Sequence, residues 1–136
     1  MRSSPFSYAL IALALALVAG CARSTAPDVC SGSTTLSFVG SPTPTLSWTP
    51  NCRVDDVLVE VPLPPSSGGG SDVTWQITAR VGGHGVAAPL RYGIVPFGMQ
   101  ELVAAEPLQA GAFYHVRIQA SEVTVGELSF QYWPPD

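Results

Sequence analysis

No lysine occurs anywhere in this sequence. All six basic residues are arginine, set against ten aspartate and glutamate residues. The arginines are scattered and form no basic run. An acidic chain of this kind has no means of capturing nucleic acid, or anionic lipid, by charge. Histidine is nearly as scarce, and His84 and His115 stand alone. There is no C-x-x-C pair beside them, so metal-ligand spacing is missing. The chain has no G-x-S-x-G elbow, no H-E-x-x-H and no G-x-x-x-x-G-K. Long apolar runs are missing too. The longest spans residues 8–19, twelve residues, where a membrane-crossing helix needs roughly 20. These absences lead us to expect no catalytic residue, no metal and no cofactor.

Acidic residues are present, but dispersed: Asp28, the pair Asp55-Asp56, Glu60, Asp72, Glu101, Glu106, Glu122, Glu127 and Asp136. A glycosidase needs two carboxyl groups about 5–10 Å apart across a cleft. A compact domain of this size rarely offers one. Asp55-Asp56 reads as a solvated turn. "SSGGGS" resembles a phosphate nest in composition, but such a nest opens a helix, and a strand follows here.

The N-terminus is the most specific stretch. Met1 and Arg2 form a short positive start, residues 3–7 a polar spacer, and "YALIALALALVA" the apolar run. Small residues Ala19 and Gly20 close it, which is the layout of a secretory signal. The exit, Val18-Ala19-Gly20-Cys21, resembles the lipobox of bacterial lipoproteins. That resemblance implies cleavage before Cys21 and lipid on its thiol. Two or three acyl chains there hold a protein durably at a membrane surface, where one holds weakly. It further implies a bacterial cell envelope location. Ala22 is not Asp, so in a Gram-negative host the outer membrane is expected over the inner. The expected organisation is a signal peptide over 1–20 with a helix over 6–20, a lipidated tether over 21–33, and one domain over 34–136.

Two cysteines follow Cys21, at positions 30 and 52. In an exported chain two thiols usually pair. A metal pair is the alternative, and nothing nearby completes one. "TTLSFV", residues 34–39, and "TLSWT", residues 45–49, alternate with period two around "GSPTP". As an antiparallel hairpin they bring Cys30 and Cys52 to the same end, which predicts a disulfide stapling that hairpin.

The rest of the chain reads as short strands between Gly/Pro turns. Strands are expected over 57–61, 73–79, 90–94, 114–118 and 128–132. Residues 99–105 give a weak helix signal that suits a strand equally. Loops are expected over 62–72 and 81–89, with His84 at a hairpin tip and His115 facing away from the core. This pattern predicts an all-β antiparallel sandwich.

"LQAGAFYHVRI", residues 108–118, carries Leu108, Gly111, Tyr114, Val116 and Ile118. Their spacing resembles the L-x-P-G-T-x-Y-x-V-x-V pattern of fibronectin type III domains. "LSWTP", residues 46–50, resembles strand B of that family, with an inward Trp48. Ala110 and Ala112 depart from the pattern, and residues 62–107 have no counterpart in it. The resemblance implies a fibronectin type III or immunoglobulin-like sandwich with a corner at Tyr114. There the ring is buried and its hydroxyl is bonded to backbone near Ala110.

Two function classes stay open. One is a non-catalytic envelope lipoprotein, a membrane-anchored binding or structural module with an envelope protein or glycan as partner. The other is a carbohydrate-binding module, for which Trp75 and Trp133 are the candidate stacking rings. Trp75 reads first as core filling. No nucleic-acid partner is expected in either case.

Overall fold

A computed structural model describes residues 27–40 and 43–136. The signal segment and Cys21 lie outside the described residues. Among the described residues eight strands form: β1 (Thr35–Val39), β2 (Thr45–Thr49), β3 (Asp56–Pro62), β4 (Ser71–Ala79), β5 (Leu90–Arg91), β6 (Met99–Val103), β7 (Phe113–Ala120) and β8 (Val123–Gln131). They build a three-stranded sheet ordered β1-β2-β5 and a five-stranded sheet ordered β6-β4-β3-β7-β8. Every strand pairing is antiparallel. The fold is an all-β sandwich. Among the described residues no helix is long and apolar enough to cross a membrane.

Period-two patterning decides which side chains meet between the sheets. On β1 and β2, Leu36, Leu46 and Trp48 are buried, while Ser47 between them is not. On the facing sheet, Val57 and Val59 of β3, Trp75 and Ile77 of β4, and Tyr114, Val116 and Ile118 of β7 are buried. These form one continuous core with the disulfide and Met99. Burying each large apolar side chain stabilises by about 1.5–3 kcal/mol.

The first hairpin closes with Thr35 opposite Thr49, and Leu36 opposite Trp48. Cys30 and Cys52 lie just beyond that end and are bonded, with Cα atoms 4.9 Å apart. Among the described residues the first backbone pairing comes earlier still, a parallel bridge between Val29 and Arg53. Arg53 N–H donates to Asp28 O (2.8 Å), and Cys30 N–H donates to Arg53 O (2.9 Å). Residues 28–33, read from sequence as part of the tether, are therefore tied to the sandwich.

Two expected elements differ. The strand expected over 90–94 shrinks to Leu90–Arg91, which pair with Leu46 and Thr45. Pro44 precedes β2, and Tyr92 N–H donates to its carbonyl oxygen at 2.9 Å. Gly93 then adopts φ 79°, a left-handed conformation that turns the chain away from the sheet. Ile94 is consequently exposed. The stretch 99–105 forms a strand over Met99–Val103, paired with β4. The loop expected over 62–72 is shorter, because β4 starts at Ser71 and a single 3-10 turn (Pro65–Ser67) fills the gap.

The sandwich has two ends. At one, β2 passes to β3, β4 to β5 and β7 to β8, and the chain enters beside Arg53. At the other lie the 62–70 turn, the 104–112 corner and the C-terminal residues.

Candidate functional site

The polar face of the five-stranded sheet carries the closest approach to a chemical constellation. Glu60 and His115 are opposite each other on β3 and β7. His115 Nδ1 lies 3.2 Å from Glu60 Oε1. Ser71, at the start of β4, donates its hydroxyl to Glu60 Oε2 at 2.6 Å. Ser, His and Glu thus converge, but in an order that does no nucleophilic chemistry. A hydroxyl nucleophile needs the imidazole between it and the carboxylate. Here the carboxylate sits in the middle and takes both bonds. The group is a cross-strand polar clamp. His115 faces away from the core, as expected. It is half-buried against Glu60 rather than free in solvent.

The electrostatics of this face follow from its neighbours. Burial alone would raise the Glu60 carboxyl. Hydrogen bonds from Ser71 and His115 and the charge of Arg117 outweigh it, and the group is lowered from its ordinary 4.5. Asp56 goes the other way. Burial dominates and raises it above 3.8, Asp55 adds to the rise, and hydrogen bonds from Gln76 and Thr78 oppose it. Arg117 Nε is buried here without a hydrogen-bond partner.

The pair Asp55-Asp56 is not a solvated turn. Both residues are half-buried. Asp55 Oδ2 accepts the Ser121 N–H at 2.7 Å, holding the β7–β8 turn. Asp56 Oδ2 accepts Gln76 Nε2 at 3.2 Å. Each carboxylate is engaged by a neutral donor, Asp55 from the β7–β8 turn and Asp56 from β4. That contact is long-range, and no local sequence pattern signals it.

At the chain-entry end, Val29, Arg53, Asp55, His84 and Ser121 line a hollow of about 160 Å³. Small-molecule sites run to roughly 300–1,000 Å³. The Arg53 guanidinium is consumed by backbone, donating to Pro27 O and to His84 O. His84 itself is exposed at its turn. Among the described residues, no group of three His, Cys, Asp or Glu side chains could hold a metal ion.

At the opposite end the Tyr114 corner is built. The Tyr114 ring is buried, and its hydroxyl accepts the Gln109 N–H at 2.8 Å. Leu108 packs against the core beside it, and Gly111 makes the turn with φ 78°. A second tyrosine does similar work unforeseen. Tyr92 OH donates to Glu106 O at 2.7 Å, and its ring meets Trp75 edge-on at 5.1 Å between centroids. Burial raises the Tyr92 phenol above its ordinary value.

The tryptophans divide. Trp75 is fully buried and belongs to the core. Trp133 is 64% exposed and lies over Gly111. Phe97, Phe113 and Trp133 are the exposed aromatics of the described residues, and no two of them pair. Comparison with protein-family models, curated proteins and solved structures returned no match to this chain.

Proposed function

We propose that the protein is a lipid-anchored envelope lipoprotein whose sandwich serves as a binding or structural module without an active site of its own. The signal segment ending at Val18-Ala19-Gly20-Cys21 supplies the anchor. One observation supports display on that anchor more than any other. The chain is fastened to the sandwich from Asp28 onward by backbone bonds to Arg53 and by the Cys30–Cys52 disulfide. A domain held so close to its anchor, and crosslinked at that point, suits an oxidising compartment at a membrane surface. The Ser71–Glu60–His115 order speaks against hydrolysis at that clamp. The scattered exposed aromatics disfavour the carbohydrate-binding alternative, which needs a platform of adjacent rings.

The test is the mass of the N-terminal peptide of protein extracted from membranes. Cleavage before Cys21 with acyl chains attached is the expected result. Cys21→Ser should leave the precursor uncut or release the protein from the membrane fraction. A mutant that migrates and fractionates like wild type would end the lipoprotein reading. Binding of the soluble domain to envelope glycans in a pull-down would favour the carbohydrate module instead.

A further inference from the structure

Exposed apolar residues scattered singly are ordinary on any protein. Val81 and Phe97 are different. Their exposures are 107% and 105%, so the rest of the fold covers neither residue. They also belong together. Arg80 N–H donates to Gly98 O at 2.9 Å, so the residues that follow Arg80 and precede Gly98 sit on adjacent turns. A hollow of about 400 Å³ opens beside them, lined by Arg80, Val95, Pro96, Phe97, Gly98 and Met99.

These turns are at the end where the chain enters. The 83–85 segment lines one hollow together with Val29, Arg53 and Ser121. Val29 and Val123, both also exposed, line another. Three of the charged side chains among them are engaged by hydrogen bonds, Arg80 while remaining exposed. Arg80 Nε donates to Met99 O at 3.0 Å, Arg53 is spent on Pro27 O and His84 O, and Asp55 takes the Ser121 N–H. Asp28 and, on the β7–β8 turn, Glu122 are exposed acids of this end. The two most exposed large hydrophobic residues among those described thus lie at this end.

Only six residues, Cys21 to Ala26, separate the proposed lipid attachment from Pro27. Drawn out fully, they span about 20 Å at 3.3–3.6 Å per residue. Pro27, which enters at the same end of the sandwich as Val81 and Phe97, is therefore held within that distance of any bilayer that carries the anchor. At such a local concentration even a small apolar contact is populated, although it would not bind on its own.

Resting on the lipoprotein reading, we propose that this end of the sandwich docks on the bilayer that holds Cys21, with Phe97 and Val81 inserted at the lipid interface. The domain then lies against the membrane and presents its opposite end, with Trp133 and the 62–70 turn, to the envelope. The docking is apolar, since this end carries no basic cluster to attract anionic headgroups.

The experiment uses lipidated protein purified from membranes and reconstituted in phosphatidylethanolamine/phosphatidylglycerol vesicles, with and without brominated acyl chains. Three single variants report position: Phe97→Trp, Val81→Trp and, at the far end, Phe113→Trp. All three sites are exposed, and the wild-type spectrum is subtracted. Emission from 97 and 81 should shift to the blue on vesicles and be quenched by brominated chains, while emission from 113 should not move. Lipidated protein whose tryptophan at 97 reads as in buffer would overturn the docking and leave the anchor standing. A mass showing no lipid on Cys21 would overturn the anchor and the docking with it. A tryptophan at 97 that stays wet on vesicles but is shielded in native envelopes would assign these tips to a protein partner and overturn the lipid assignment.

Discussion

Gly126 of β8 lies directly beneath Leu36 of β1. A methyl group added at 126 would overlap both Leu36 Cδ1 and Thr34 Oγ1, and would crowd Ile118 Cγ1 at 3.3 Å. The two sheets approach here, fixed by Thr34 N–H and Thr34 Oγ1, which both donate to Val125 O at 2.7 and 3.1 Å. Overpacking a core typically costs about 1–3 kcal/mol. Gly126→Ala should lose that much in urea unfolding. Trimming the neighbour makes room, so the same change should cost less in a Leu36→Ala background. Equal losses in both backgrounds would refute the contact.

The Tyr114 hydroxyl is a sharper case, since one atom can be removed. Tyr114→Phe keeps the buried ring and deletes the acceptor for Gln109 N–H. A net loss of about 0.5–1.5 kcal/mol is expected. Hydrogen exchange should localise the effect, with Gln109 losing protection while Val116 keeps its own. Unchanged protection at Gln109 would sink this account.

The Cys30–Cys52 bond closes a loop with a sequence separation of 22. On the chain-entropy model that loop is worth about 3 kcal/mol. The double variant Cys30→Ser/Cys52→Ser should lose about that amount. The loss should be felt first at residues 28–30, whose pairing with Arg53 the bond holds in place. Labelling of unfolded, unreduced mature protein should find neither of these two sulfurs free.

What was readable in the sequence divides along a physical line. Period-two alternation is local, so Leu36, Leu46, Trp48, Trp75 and Tyr114 could be assigned to the core from their neighbours alone. The disulfide was readable because a hairpin converts a separation of 22 residues into proximity. Long-range pairing left no such trace. Nothing local says that Asp55 holds the Ser121 turn, or that Ser71 and His115 share Glu60. The short β5 departs from the expected strand for the same reason. "PLRYGIV" alternates as a strand should, yet β2 offers partners only at Thr45 and Leu46. The addition of β6 to the β4 edge occupies the middle of the chain, where the fibronectin-like spacing had no counterpart.

Two carboxylates on one strand should respond to pH in opposite senses. Glu60 is lowered on folding from 4.5. Its contribution is therefore present above pH 4.5 and lost as pH falls through the folded value. Asp56 is raised on folding from 3.8. Folding favours its protonated form, so its contribution is fully present below pH 3.8 and lost as pH rises through the folded value. Glu60→Gln should then destabilise at pH 7 by about 0.2–1 kcal/mol, the range of partly exposed pairs. That deficit should close once the pH falls below the folded value of Glu60. Asp56→Asn keeps an acceptor for Gln76 and removes the buried charge. It should match or exceed wild type at pH 7, and this advantage should vanish below pH 3.8. Urea unfolding of the three proteins between pH 3 and 7 reads both effects. If the two variants move together across that range, the opposed shifts are wrong, and with them the view that Ser71 and His115 hold Glu60 ionised while burial works against Asp56.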